Sequence, residues 1–378
     1  MKIALLTDGL YPYVLGGIQK HSFYLAKYLA REKIKVHIIH CVAKDQGIIE
    51  ELEGFSEAEL KLISFSCIRK RKPKSYPGHY IRESYLLSKL MFETMSDYSQ
   101  FDFIYAQGFT GWHYGRVRVK DKSLPPLITN FHGLEMFQHA ASLKEKLKQE
   151  LFKWPVTHVS RLSGLNCSLG GKLTAILENL VSPNKIIETP IGISEDWLID
   201  SNTIQRNKIR KFVFVGRYER RKGIEELSAV LKTLIHTQNF EFHFIGPIPE
   251  GKQISSKKII YHGLLEEAGV KELLCSADLL VCPSYSEGMP TVILEAMANG
   301  CAIIASDVGA VSEEVDKSNG ILIEAGSKEQ LKDAILDFIK MNDEQLIKLK
   351  EASLQRVREQ FLWSKVIMQN LKKITDHV

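Results

Sequence analysis

Short apolar runs of four to six residues recur along the chain, alternating with helical patterns, and this recurrence restricts the fold more than any other feature. In the first half the runs are Lys2–Thr7, Lys35–His40, Phe103–Ala106, Pro126–Phe131, Gly164–Ser168 and Lys185–Thr189. Between the first two, Ile18, Phe23, Leu25, Ala26 and Leu29 fall at helical spacing. Strands this short and this apolar bury both faces, which a parallel sheet covered by helices provides. The stretch Ile48–Ser84 is less regular and receives no element. A second series follows at Lys211–Val215, Glu241–Ile245, Lys258–His262, Asp278–Cys282, Ala302–Ser306 and Gly320–Ile323. Helices are expected at Ile224–Thr237, Thr291–Asn299, Gln330–Lys340, Asp343–Gln360 and Trp363–Thr375.

The fold class expected is therefore α/β, with two Rossmann-like, doubly wound domains facing each other across a cleft. A chain of 378 residues also exceeds what one core ordinarily organises. The polar segment 194–210 reads as the linker between residues 1–193 and 211–360, with residues 361–378 forming a last helix. In doubly wound sheets ligands bind beyond the C-terminal strand ends, so the two domains would share one site.

Composition narrows the setting. Apolar residues make up 44% and charged residues 25%, and no apolar run reaches the ~18 residues of a membrane span. The first apolar run is broken by Asp8 and reads as a strand, not a secretion signal. Cys41, Cys67, Cys167, Cys275, Cys282 and Cys301 are scattered without a CxxC pair, which fits free thiols in a reducing compartment. A cytoplasmic location follows as the expectation. Residues 1–193 hold 26 Lys and Arg against 18 Asp and Glu, whereas residues 194–378 hold 24 against 27. The basic half suits an anionic partner. Its densest point is Arg69, Lys70, Arg71, Lys72 and Lys74, a candidate contact for an anionic membrane surface, with the protein peripheral on the inner face. Nucleic acid is not expected, because aromatic platforms and a recognised motif are missing.

Four stretches carry chemistry. Gly16 and Gly17 follow strand one and open a helix, where backbone amides can approach a phosphate or sugar. Phe214–Gly223 is a strand end, a turn at Gly216, and cations at Arg217 and Lys222 that can converge on one anion, with Arg220 and Arg221 expected in solvent. In Pro283–Ala298 a strand runs through a loop into a helix near Thr291, so the amides of Gly288, Thr291 and Val292 make an anion site. Glu287 in that loop and Glu295 inside the helix are carboxylates that sugar hydroxyls would satisfy. Asn130–Glu135 places His132 just past a strand end, aimed at the cleft. The chain lacks a G-x-G-x-x-G dinucleotide fingerprint, a phosphate-binding P-loop and a D-x-D metal motif.

On these residues the chain resembles the family 4 retaining glycosyltransferases of the GT-B fold. Glu287–Glu295 matches the family's E-x7-E stretch, continued by Ala296–Gly300 and Asp307–Gly309. Phe214–Gly223 matches V-G-R-x5-G, Gly16-Gly17 the N-terminal glycine pair, and His132–Glu135 an H-G-x-E motif. The resemblance implies a metal-independent transfer of a hexose from a nucleotide-diphosphate sugar (a UDP-sugar or GDP-mannose) to a glycan or lipid-linked acceptor, as in cell-surface polysaccharide synthesis. No cofactor beyond that co-substrate is implied. It assigns Arg217 and Lys222 to the leaving diphosphate, Glu287 to the hexose and Glu295 to the ribose. Gly288, Met289, Pro290, Thr291 and Val292 would bind sugar and phosphate, and Gly216 would turn the chain beside them. His132 would stand by the donor sugar, Gly16 and Gly17 by the diphosphate, and His262, Gly263 and Leu264 by the base. The last helix would return to the first domain.

Three positions depart from the pattern: Ile191 replaces a hinge Asn, Gly300–Ile303 lacks a Pro, and Lys33–Lys35 replaces a Gly-His pair. None removes a proposed catalytic group. A nucleotide-sugar epimerase of the same fold, or a non-catalytic nucleotide-sugar-binding protein, would carry much of the same pattern.

Overall fold

The computed structural model describes residues 1–14, 16–42, 54–69, 78–95 and 97–377. Two parallel sheets organise the chain. The first is ordered β3-β2-β1-β4-β5-β6-β7, with β1 Lys2–Leu6, β2 Lys35–Val42, β3 Ile63–Arg69, β4 Phe103–Gln107, β5 Leu127–Asn130, β6 Leu165–Ser168 and β7 Ile186–Glu188. The second is ordered β10-β9-β8-β11-β12-β13, with β8 Arg210–Val215, β9 Phe240–Ile245, β10 Ile259–Tyr261, β11 Leu279–Cys282, β12 Ala302–Ser306 and β13 Gly320–Ile323. All pairings within both sheets are parallel, so each sheet must be covered on both faces. In the second sheet Phe212, Phe214, Phe240, Phe242 and Phe244 are all nearly inaccessible, each worth about 1.5–3 kcal/mol of burial.

The expected strands are present with ends shifted by a residue or two. β3 is the addition, inside the stretch that received no element. It is an edge strand of alternating character, Ile-Ser-Phe-Ser-Cys-Ile-Arg, only partly covered, so it offers no continuous apolar run. Arg69 ends it, while Lys70, Arg71, Lys72 and Lys74 lie outside the described residues. Cys41, Cys167, Cys282 and Cys301 are buried, and none of the six cysteines forms a disulfide.

In both sheets the strand order reverses direction beside the first strand, at β1/β4 and at β8/β11. These switch points open a crevice at the C-terminal strand ends, and the two crevices face each other. The chain crosses between the halves twice at one place. Ile193 pairs with Leu362 in a parallel bridge, the Ile193 amide donating to the Phe361 carbonyl at 2.7 Å and the Trp363 amide to the Ile193 carbonyl at 3.0 Å. Gly192 permits this approach, because a Cβ there would lie 2.8 Å from the Trp363 Cα. The helix Trp363–Thr375 then packs on the helix Gly17–Arg31, with the Trp363 ring stacked near Tyr24 and Tyr28.

Candidate active site

Between the halves lies a cavity of about 1640 Å³, bordered by the ends of β1, β4, β5 and β8 and by the loop after β11. Its cationic floor is built from the loop after β8. A 3₁₀ turn, Arg220–Lys222, is followed by Gly223 in the left-handed region at φ 66°. A Cβ at Gly223 would lie 1.9 Å from the Pro283 carbonyl oxygen, so glycine is what lets this turn press against the loop after β11. Lys222 Nζ then donates to Glu287 Oε1 at 2.6 Å. Arg221 Nη1 donates to the Ser286 carbonyl at 2.9 Å and stands 3.4 Å from Glu287 Oε2 and 3.5 Å from Glu135 Oε1. Burial alone would raise the Glu287 carboxyl, but Lys222 and Arg221 outweigh it and hold Glu287 below the ordinary carboxylate range. Burial has the upper hand at Glu135, whose carboxyl is pushed up.

This arrangement corrects the sequence reading of the cations. Arg217 does not converge with Lys222; its side chain is 75% exposed at the rim, 3.0 Å from Glu219. Arg221, expected in solvent, takes the inner place instead. Arg220 is not free in solvent either: it forms a two-pronged pair with Glu226, both contacts at 2.6 Å, and its guanidinium lies 5.0 Å over the Tyr285 ring. The 3₁₀ turn separates Arg220 from Arg221, because successive side chains in it step by ~120°, whereas Arg217 lies before the turn and pairs with the nearby Glu219.

Above Glu287 the loop Gly288–Pro290 leads into the helix Thr291–Ala298, and Gly288, Met289, Pro290, Thr291 and Val292 all border the cavity. The helix's free amides and positive end thus face the space beside Lys222. Gln138, from the first half, holds this loop at both polar groups of the Glu287 peptide: its Nε2 donates to the Glu287 carbonyl at 2.5 Å and its Oε1 accepts from the Glu287 amide at 3.3 Å.

His132, from the first half, also borders the cavity. Its backbone is left-handed, φ 58°, which turns the ring inward from the end of β5. His132 Nε2 lies 2.6 Å from Gln107 Oε1, and Gln107 Nε2 lies 3.0 Å from His21 Nδ1. With the Gln107 oxygen accepting, His132 carries its proton on Nε2. Burial pushes the His132 imidazole down to about 4, so it is neutral near pH 7. A histidine with its folded value below the unfolded 6.5 binds protons more tightly when unfolded. Stability is therefore expected to fall as pH drops from about 6.5 towards 4, and His132→Gln should flatten that slope in thermal melts; an unchanged slope would refute the assignment. His21 shifts in the same direction, by burial and then by His132, so some slope remains in the variant.

The remaining expected residues divide. Gly17 and Gly216 border the cavity. Gly16 caps the helix Gly17–Arg31 without bordering it. His262, Gly263 and Leu264 sit beyond β10 away from the cavity wall; His262 Nε2 meets His243 Nδ1 at 2.9 Å and Leu264 is 79% exposed. Glu295 faces a separate, far smaller cavity, where Lys20 Nζ donates to it at 3.0 Å and to Glu267 at 3.0 Å. Arg221, Gln138 and Lys20 escaped the sequence reading. Arg221 and Lys20 sit among polar neighbours and Gln138 follows Met136 and Phe137, and only the meeting of distant segments gives each a role.

Known proteins agree with this picture. A model of "Glycosyltransferase Family 4" matches residues 15–164, and one of "Glycosyl transferases group 1" matches residues 209–341. An uncharacterized glycosyltransferase of Methanocaldococcus jannaschii is 27% identical over 97% of this chain and 96% of its own. The putative teichuronic acid biosynthesis glycosyltransferase TuaC of Bacillus subtilis is 40% identical over 129 residues, 34% of this chain and 33% of that protein. Among solved structures, sucrose-phosphate synthase from Thermosynechococcus elongatus superposes with a TM-score of 0.79 at 17% identity, covering 99% of this chain and 98% of that one. Anabaena HepE in complex with UDP-glucose superposes with a TM-score of 0.69 at 14% identity, both chains fully covered. Fold and relatives together define the class, a glycosyltransferase with the GT-B fold. Both halves of the chain carry that signature in its order, and the chain belongs to glycosyltransferase family 4.

Proposed function

We propose that this enzyme moves a hexose from a nucleotide-diphosphate sugar to a glycan or lipid-linked acceptor, with retention at the anomeric carbon and without a metal ion. The observation that carries the reading is the cluster of Lys222 and Arg221 around Glu287, facing the start of the helix Thr291–Ala298. As the bond from sugar to diphosphate breaks, negative charge grows on the leaving oxygen. Two fixed cations and a helix's leading amides stabilise that charge without reorganising, the task a divalent metal performs elsewhere. In a retaining transfer the acceptor hydroxyl attacks from the face the diphosphate leaves, and a phosphate oxygen takes its proton. Glu287, held ionised, accepts from hexose hydroxyls, and neutral His132 borders the cavity on the acceptor side. Glu295 is the ribose-binding carboxylate in this reading, with Lys20 giving way to the donor.

HepE was solved with UDP and with UDP-glucose, which favours a UDP-sugar over GDP-mannose here. The name of TuaC favours a cell-surface polysaccharide as product, assembled on the cytoplasmic side of a membrane. Among the described residues no helix is long and apolar enough to cross a membrane.

A thermal-shift panel of nucleotide sugars tests the donor: a true donor at ~100 times its Kd adds about 2.7 kcal/mol. If UDP-sugars and GDP-mannose all leave Tm unmoved, the donor assignment fails. Turnover with the matching donor is expected to persist in EDTA, and loss of activity restored by a divalent ion would refute the metal-free mechanism.

A further inference from the structure

The helix Leu143–Leu162 carries an exposed apolar stripe, in which the Trp154 ring stacks on His158 with centroids 5.2 Å apart. Leu143, Leu147, Leu151 and Trp154 are 81%, 72%, 59% and 67% exposed. At 3.6 residues per turn these four fall within about 80° of one another, one continuous face of three turns. Lysines flank it on both sides, Lys144 and Lys148 along one edge and Lys146 and Lys153 along the other. The whole helix has five cations, counting Arg161, against Glu145 and Glu150. Among the described residues Lys144, Lys146 and Lys148 have no ion pair. The opposite side is anchored: Val156 and Val159 are buried, and Glu145, Lys148, Gln149 and Phe152 border the active-site cavity. Across that cavity's mouth Tyr80, itself 57% exposed, meets Phe152 edge to face at 5.7 Å.

We propose that this stripe is a docking face for an anionic lipid bilayer, which brings the acceptor end of the cavity to the membrane. An apolar face edged by lysines, with a tryptophan among the leucines, suits the zone where acyl chains meet phosphate headgroups. A second copy of the chain is the weaker occupant, because apposing two such stripes would crowd lysine edges of like charge. The docking assignment rests on the reading above and deepens it by making the acceptor membrane-borne, and it draws on no residue of the basic run Arg69–Lys74.

The test is flotation of the full chain with vesicles of phosphatidylcholine alone or with about one-third phosphatidylglycerol. Binding is expected only with the anionic lipid. Changing Lys144, Lys146 and Lys148 together to serine should weaken partitioning about a hundredfold, at ~1 kcal/mol per cation. The pair Leu147→Glu and Trp154→Glu should weaken it at least as much, and both sites are exposed, so Tm should hold. Donor-induced thermal shift is measured on every variant, so that loss of donor binding, which would count against the transferase reading, is scored apart from loss of docking. The proposal is overturned if the parent protein does not float with anionic vesicles, or if the Glu variants float like the parent. It is also overturned if ultracentrifugation shows a dimer that those variants dissociate, which would make a second copy the occupant.

Discussion

Lys222→Ala is expected to lower kcat by roughly 10²–10³-fold, the usual loss for one preorganised group that stabilises developing charge. The fold should survive, because Arg221 remains 3.4 Å from Glu287 and keeps that buried carboxylate paired. Arg221→Ala should also be costly, since it removes the second cation from the same carboxylate and frees the Ser286 carbonyl. Arg217→Ala should be far milder, because this side chain is 75% exposed and screened by solvent and Glu219. Steady-state kinetics with a saturating donor separates the three. Near-normal kcat in Lys222→Ala would remove the leaving-group role. A larger loss in Arg217→Ala than in Arg221→Ala would reverse the assignment and mean that Arg217 swings inward on donor binding.

The second large effect concerns stability. Lys350 and Asp278 form a buried ion pair, 1% and 0% exposed in their side chains, at 3.0 Å. Lys350 Nζ also donates to the carbonyls of Gln205 at 2.9 Å and Ala277 at 3.1 Å, so one ammonium ties the interdomain segment to the second sheet. Asp278 Oδ2 accepts from the Lys211 amide at 3.0 Å, at the start of β8. Asp278→Ala leaves a buried cation without its counter-charge and is expected to cost about 3–5 kcal/mol. The double variant Asp278→Ala with Lys350→Met removes both charges and should be more stable than Asp278→Ala alone. Denaturant melts of the single and double variants measure the coupling. If the double variant is no more stable than Asp278→Ala, the orphaned charge is not the source of the loss.

The cation cluster also marks where sequence reading reached its limit. The E-x7-E stretch was legible because a strand, a loop and a helix start are local features, each set by neighbours in the chain. That Lys222 and Glu287 border one site was legible, since both lie past strand ends of one doubly wound sheet, but their direct pairing across 65 residues was not, because the reading gave Lys222 to the diphosphate and Glu287 to sugar hydroxyls. Which arginine joins them was not legible. The phase of the 3₁₀ turn Arg220–Lys222 sets which of its own side chains face inward, Arg217 lies before that turn, and nothing in Arg217–Lys222 encodes either placement. Edge strand β3 escaped for a related reason: one side of it meets solvent, so it lacks the doubly buried signature of its neighbours.

The amino-acid sequence alone determined the two series of strands and helices, the segment between them and the candidate anion site, because burial periodicity and strand-end chemistry act over a few residues. Tertiary structure alone decided that Arg221 lies inside and Arg217 outside, that Gln138 clamps the Glu287 peptide from the other half, and that Lys20 reaches Glu295 across the cleft. It also left the stripe Leu143–Trp154 facing outward. Such contacts join segments more than 60 residues apart, and their geometry depends on how whole sheets pack, a quantity no local pattern of residues contains.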